Sequence, residues 1–221
     1  NYKSTQKNEQ IAMATQHLQI YDLQIDQVFK TKFNFINYDS SVIYSNKFKE
    51  TLQYLASLNV DEGMLNSINQ SFKAKQDELE RFKSANSIAI NSKSYLFTLS
   101  SDINKIATQN PTQSNLDLIN TIDQILAIIS TQNILAKDVL NRLNSLVNII
   151  DTDKFADTEL LSLFKKHYTT MLAQISVMQD NSKHYLGQEL SKKLNRFENI
   201  IQDQIQKNHQ NQLYIAIAIF G

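Results

Sequence analysis

The stretch that decides the fold is GMLNSINQSFKAKQDELERFKSANSIAINSKSYLFTLSSDINKIATQNP, which runs from Gly63 to Pro111. No Gly or Pro lies between these two residues. A helix over this stretch must end at Asn110, because the residue before a proline is pushed out of the α region. We therefore predict a helix from about residue 62 to residue 108, roughly 70 Å long at about 1.5 Å per residue.

The whole chain shares this shortage of turn residues. Its 221 residues include three Gly and one Pro, whereas globular domains average roughly 7% Gly and 5% Pro. β-Sandwiches, β-barrels and doubly wound α/β folds need frequent turns, and Gly and Pro supply the backbone angles that turns require. The hydrophobic fraction of 42% is enough for a core. The composition therefore predicts an all-α protein with few, long helices.

Apolar spacing on both sides of this stretch predicts the other helices. The first covers residues 4–35 and, after an interruption at residues 34–41, a second runs to residue 58. We expect Asp39 or Ser40 to cap the second helix and Ser114 or Asn115 to cap a fourth at residues 116–150. The chain from residue 157 to its C-terminus is also helical by pattern, with a weak break at residues 180–182.

Such lengths predict an elongated antiparallel helical rod, made of two stacked four-helix-bundle modules that share long helices. The number of helices stays open between four, five and six. Four long helices result if residues 4–58 act as one bent helix, and six result if the last segment splits near Asp180. Residues 1–221 then form a single domain.

The C-terminal residues 213–221, LYIAIAIFG, are apolar and follow the polar residues 208–212. A membrane-spanning helix needs about 20 apolar residues, so this run is too short to span. We expect residues 213–221 to be the start of a truncated transmembrane helix. The alternative is a buried terminal helix or strand end.

Charge and motifs exclude several classes of function. Lys and Arg total 22, as do Asp and Glu, so the net charge is zero and nucleic acid is not an expected partner. The chain has no Cys, and its four histidines form no metal-binding or catalytic motif. Without a Gly-rich loop a phosphate cradle is also excluded. We expect no catalytic residues, no metal and no cofactor.

Two segments place polar groups among apolar ones, residues 35–39 and residues 80–95. In the second, Lys83, Asn86, Ile90 and Lys93 share one helical face, and Arg81, Ala85, Ile88 and Ser92 share another. Small residues at 84, 85, 87 and 89 would leave room for a ligand. These polar groups form either a ligand pocket between helices or an interhelical hydrogen-bond network with a solvated face.

The same two segments resemble the DAHL domain, the double all-alpha ligand-binding domain. The resemblance rests on Asn-Tyr-Asp at residues 37–39, on Glu-Arg-Phe-Lys-Ser-x-Asn at residues 80–86, and on residues 91, 92 and 95. It covers roughly the first half of the chain. Ser40 stands where the family often has Pro.

The resemblance implies an extracytoplasmic sensor domain of a bacterial inner-membrane receptor, flanked by transmembrane helices. The output would be a histidine kinase of a two-component system, or else a diguanylate cyclase, a phosphodiesterase or a chemoreceptor. The domain itself would not be an enzyme. A small molecule or a periplasmic binding protein is the expected partner, and a homodimer is possible. The expected ligand-binding residues are Tyr38, Asp39, Arg81, Lys83, Asn86 and Asn91.

We expect a small ligand to bind between helices and to shift the first and last helices relative to each other. A stiff helix from residue 157 to residue 220 would carry that shift. The rival hypothesis, from another class of protein, is a non-catalytic helical rod that binds a partner protein or dimerises. An exposed apolar stripe would favour the rod, and an enclosed cavity with polar groups would favour the sensor.

Overall fold

A computed structural model describes residues 2–27, 38–150, 155–186 and 189–220, and in these ranges it contains α-helices and no β-strand. The all-α prediction is therefore confirmed. The seven described helices are α1 (Tyr2–Asp26), α2 (Asp39–Ser57), α3 (Glu62–Gln109), α4 (Gln113–Thr131), α5 (Lys137–Val147), α6 (Thr158–Leu186) and α7 (Leu190–Phe220).

The longest helix, α3, has 48 residues and matches its predicted bounds within one residue. The chain turns between α2 and α3. Asn59 adopts the left-handed conformation there, with φ of 51°, which Asn tolerates better than most residues. Asp61 then caps α3, because its Oδ1 accepts a hydrogen bond from the Met64 amide at 2.7 Å.

The predicted caps of the second and fourth helices were wrong. Tyr38 holds the N-cap position of α2 and makes no side-chain cap, so Asp39 lies in the first turn instead. Its carboxylate still suits the positive end of the helix. At α4 the cap is Thr112, whose hydroxyl oxygen accepts from the Asn115 amide at 3.2 Å.

The helix predicted over residues 116–150 is two helices, α4 and α5. Neither Gly nor Pro marks the break, so composition could not reveal it. Asn133 turns the chain by accepting a hydrogen bond from the Leu135 amide at 3.2 Å. Ile134 is fully buried, and Gln179 of α6 donates to the Leu135 carbonyl at 2.8 Å. Tertiary contacts therefore stabilise this break.

The prediction of one continuous helix from residue 157 to residue 220 was also wrong. The chain forms α6 and α7, and Leu186 and Leu190 bound the interval between them. The weak break predicted at residues 180–182 is absent, because α6 continues through them and buries Asn181. With α4 and α5 also separate, the described helices exceed the four, five or six that we expected.

The first helix is predicted to extend beyond the end of α1. α1 ends at Asp26, and residues 28–37 of the prediction, including Asn37 of the family motif, lie outside the described residues.

The chain divides into two compact units. Unit 1 holds α1, α2, α3 as far as Asp77, and α7; unit 2 holds α3 from Glu78 together with α4, α5 and α6 as far as His184. α3 therefore contributes to both.

The core of unit 1 is apolar and centres on two stacked aromatic rings. Phe48 of α2 and Phe72 of α3 lie 4.0 Å apart between ring centroids, with planes 7° apart, and both are fully buried. Burying such a side chain contributes about 1.5–3 kcal/mol. The buried side chains of α1 and α7 complete the core: Ile11, Ala14, Leu18, Ile25, Leu190, Leu194, Phe197 and Ile201.

The core of unit 2 packs α5 and α6 antiparallel. The Tyr168 hydroxyl of α6 donates to the Leu143 carbonyl of α5 at 2.7 Å. Further along α6, Gln179 contacts Leu135, just before α5 begins. Burial raises the pKa of Tyr168, so its phenol remains a hydrogen-bond donor at neutral pH.

Candidate functional site

The predicted site residues Tyr38 and Asp39 belong to unit 1 and lie at the start of α2. Tyr38 is half-buried and Asp39 is exposed. The Tyr38 carbonyl accepts from the Ser41 hydroxyl at 2.7 Å and from the Val42 amide at 3.2 Å. These contacts fix the first turn of α2, which is a structural role for Tyr38.

The other four predicted residues belong to unit 2 and all lie on α3. The Arg81 guanidinium lies 3.1 Å from Glu78, and the Lys83 ammonium lies 2.8 Å from Glu80. Both are pairs between residues three apart on one helix, and in each pair one side chain is exposed and the other is largely covered.

The side chains of these four residues do not lie on one face of α3. Arg81 and Asn91 are exposed, whereas Asn86 is buried and Lys83 is largely covered. The interior face therefore carries Lys83, Asn86 and the half-buried Lys93, as the spacing predicted. Burial lowers the pKa of Lys93. A role of all six residues in binding ligand stays a prediction.

Sequence reasoning missed a buried charge cluster in unit 1. The Lys75 ammonium lies 2.5 Å from a carboxylate oxygen of Asp22 and 2.5 Å from one of Asp26. The side chains of Lys75 and Asp22 are only 4% and 5% exposed. Burial raises the pKa of Asp22, although the charge of Lys75 and its hydrogen bond act in the opposite direction.

The sequence contained a signal for this cluster. Asp22 lies four residues after Leu18 and three before Ile25, so its carboxylate falls on the apolar face of α1. A charge on such a face needs a partner, because an unpaired buried charge is costly. Which residue supplies the partner depends on the pairing of α1 with α3, which no local pattern gives.

α1 and α7 lie side by side in unit 1 and run antiparallel. Near the chain ends, the Asn208 amide contacts the Ser4 hydroxyl at 3.4 Å. Further into the unit, the Gln19 amide donates to Asn195 at 2.9 Å. The N-terminal end of α1 and the C-terminal end of α7 are therefore together at the same end of unit 1.

Polar side chains make contacts along this pair of helices, beside the buried apolar side chains of the core. We call residues 4–19 of α1 and residues 195–212 of α7 the terminal seam. The Gln19 amide also donates to Glu198 at 2.9 Å, and the Gln212 amide donates to the Thr5 hydroxyl at 2.8 Å. Among the side chains that the structure describes, Ile201 is the last buried one on α7. Beyond it, the α7 side chains that the structure describes are half-buried or exposed, and Asn208 and Gln212 make polar contacts with α1.

A cavity of about 310 Å³ opens between α3 and α7 in unit 1. Its apolar lining consists of Met64, Ile68, Phe197 and Ile200, and its polar lining consists of Asp61, Ser67, Lys193 and Arg196. None of these residues is among those that the sequence predicted. Finding them requires the register of α3 against α7, which brings together lining residues that are more than 120 positions apart in the chain.

Within the described ranges no group of His, Asp and Glu side chains could hold a metal ion. The same ranges contain no helix that is both long enough and apolar enough to cross a membrane.

Comparison with known proteins identifies the family. The model of the DAHL domain matches residues 3–215, which is nearly the whole chain. The chain belongs to the DAHL family. DAHL domains are extracytoplasmic sensor domains and are not catalytic themselves. The match extends well beyond the first half of the chain, where the resemblance was visible in the sequence. No curated protein matches the chain.

Proposed function

We propose that this DAHL domain is the periplasmic, ligand-sensing part of a bacterial inner-membrane receptor. Ligand binding displaces α7 relative to α1, and flanking transmembrane helices pass the displacement to the output domain. The observation that carries the proposal is the antiparallel terminal seam, which brings both ends of the domain to one end of unit 1. A domain held between two transmembrane helices needs this arrangement.

The chemistry of the seam supports a displacement along the helix axes. Interlocked apolar side chains resist sliding, because close-packed cores do not deform continuously. Beyond Ile201 the amides of Asn208 and Gln212 instead donate to the half-buried hydroxyls of Ser4 and Thr5. Such amides can exchange one acceptor for another at low cost, since water satisfies them in between. Shifts of about 1–2 Å are a known form of signal transmission.

The output we propose is a sensor histidine kinase; a diguanylate cyclase, a phosphodiesterase and a chemoreceptor are the alternatives. The gene sequence after residue 221 distinguishes them. We expect residues 213–221 to continue into a complete transmembrane span, followed by a histidine kinase. A stop codon directly after residue 221 would contradict the receptor proposal.

Cross-linking in the full-length receptor tests the displacement. The domain has no native Cys, so engineered pairs react without background from it. The pair S4C with N208C joins two side chains that are in contact. The pair S4C with Q204C joins Ser4 instead to the position one helical turn before Asn208 on α7. We expect the two cross-links to hold the kinase in opposite activity states. Equal activity from both would contradict the proposal.

An exposed apolar stripe on α1 supports a second candidate, a non-catalytic helical protein that binds a partner protein or a second copy. Met13, Ile20 and Leu23 are 60%, 49% and 59% exposed, and their spacing of seven and three residues puts them on one side of the helix. Sedimentation analysis tests self-association. A dimer that Ile20→Glu dissociates would support it, and a monomer at high concentration would contradict it.

A further inference from the structure

The cavity between α3 and α7 has a floor that is suited to an apolar group. Phe197 and Ile68 are both buried, each with 1% of its surface exposed. Met64 and Ile200 line the cavity with them and are half-buried. Its volume of about 310 Å³ lies at the lower end of the range of small-molecule sites.

Two cations line the same cavity, and both come from α7. The Lys193 ammonium reaches across to α3, where it donates to the Ser71 hydroxyl at 2.7 Å and to the Ser67 carbonyl at 3.3 Å. An ammonium has three donors, so one remains for a further acceptor. Arg196, one turn along α7, is exposed and brings five donors in a planar fork.

Neither cation has a carboxylate partner among the residues that the structure describes. Across the described ranges, no carboxylate lies within ion-pair distance of Lys193 or Arg196, whereas Lys75, Arg81 and Lys83 all have such a partner. The acid that lines the cavity, Asp61, accepts from the Met64 amide and caps α3. Its charge therefore lies against the positive end of a helix.

We propose that this cavity binds a small carboxylate with an apolar body. The carboxylate accepts from Lys193 and Arg196, and the apolar body lies on Ile68 and Phe197. The ligand would connect α3 to α7, the helix whose displacement relative to α1 we propose as the signal. Only this signalling role rests on the proposed function; the binding itself does not.

Calorimetric titration of the domain with 4-methylpentanoate tests the binding. The controls are 3-methylbutylamine and 4-methylpentan-1-ol, which keep the branched apolar body but replace the carboxylate with an amine or an alcohol. We expect saturable binding of the carboxylate, and at least about tenfold weaker binding of the two controls, since hydrogen bonds to charged groups are the stronger ones. No saturable binding of the carboxylate, or equal binding of the amine, would overturn the proposal.

Substitutions place the binding in this cavity. We expect K193Q and R196Q each to weaken the carboxylate about tenfold or more. K192Q is the matched control, because Lys192 is the exposed neighbour that does not line the cavity. An affinity that survives K193Q and R196Q together, or that falls equally with K192Q, would overturn the assignment.

A third variant guards against a loss of affinity caused by misfolding. S67F fills the cavity from α3 and leaves both cations in place. We expect it to abolish binding while thermal unfolding remains cooperative; unchanged affinity in S67F would overturn the assignment. If the carboxylate fails to bind, the cross-linking test of the α1–α7 displacement still stands, so the two proposals fail separately.

Discussion

Two regions of unit 1 differ in what holds them together: the core around Phe48 and Phe72, and the terminal seam. The core is built from interlocked apolar side chains. Beyond Ile201 the terminal seam joins side-chain amides to hydroxyls, Asn208 to Ser4 at 3.4 Å and Gln212 to Thr5 at 2.8 Å. A core of this kind has one well-packed arrangement. Amide contacts at a surface have several arrangements of similar energy, so the seam is where a helix can move.

The largest effect should come from opening the core. Phe72→Ala removes a fully buried ring, which is the stacking partner of Phe48. We expect the free energy of unfolding to fall by about 4 kcal/mol, measured by urea denaturation. Tyr54→Ala is the control, because Tyr54 is 45% exposed; it should cost less than about 1 kcal/mol. Equal losses in both variants would contradict the assignment of the core.

Removing the buried cation should have the next largest effect. Lys75→Met leaves Asp22 and Asp26 without the ammonium that lies between them. We expect a loss of about 3 kcal/mol at pH 7, and a smaller loss at acidic pH, because burial raises the pKa of Asp22 and protonation removes its charge. Lys73→Met, at an exposed position on the same helix, should be nearly neutral. A loss that does not depend on pH would contradict the electrostatic explanation.

Asp22 should also make the free energy of unfolding of the wild-type protein depend measurably on pH. Burial raises its pKa in the folded state, so the folded protein holds this proton more tightly than the unfolded chain does. Stability from this group is therefore greatest at low pH, and it falls as pH rises from the ordinary Asp pKa to the raised one. Asp22→Asn should remove this fall, as denaturation at several pH values will measure. An unchanged slope would mean that Asp22 is not the titrating group.

The smallest effect should come from the seam. Gln212→Ala removes one half-buried hydrogen bond to Thr5. We expect less than about 1 kcal/mol of lost stability, together with faster hydrogen exchange at the start of α1. Gln210→Ala, at an exposed position, is the control. A loss of several kcal/mol would show that the seam is rigid like the core.

The sequence predicted the elements that local chemistry determines. α3 is correct within one residue because no helix breaker lies inside it and Pro111 follows it. The break at residues 132–136 was missed because a buried Ile134 and a hydrogen bond from Gln179 stabilise it, and both depend on tertiary packing.

The same limit applies to the candidate sites. Asp22 was detectable as a charge on an apolar face, but its partner Lys75 depends on how α1 and α3 pair. Lys193 and Arg196 have no local signature, and only the register of α3 against α7 places them on one cavity.

Distances between spin labels test the central claim, that the seam moves while the core does not. One pair of labels replaces the exposed residues Gln6 of α1 and Asn211 of α7, and a reference pair replaces Gln53 of α2 and Gln70 of α3. With a ligand that raises the unfolding temperature, we predict a shift of about 1–2 Å in the seam distance and no shift in the reference distance. A seam distance that stays constant, or a reference distance that changes equally, would contradict the account.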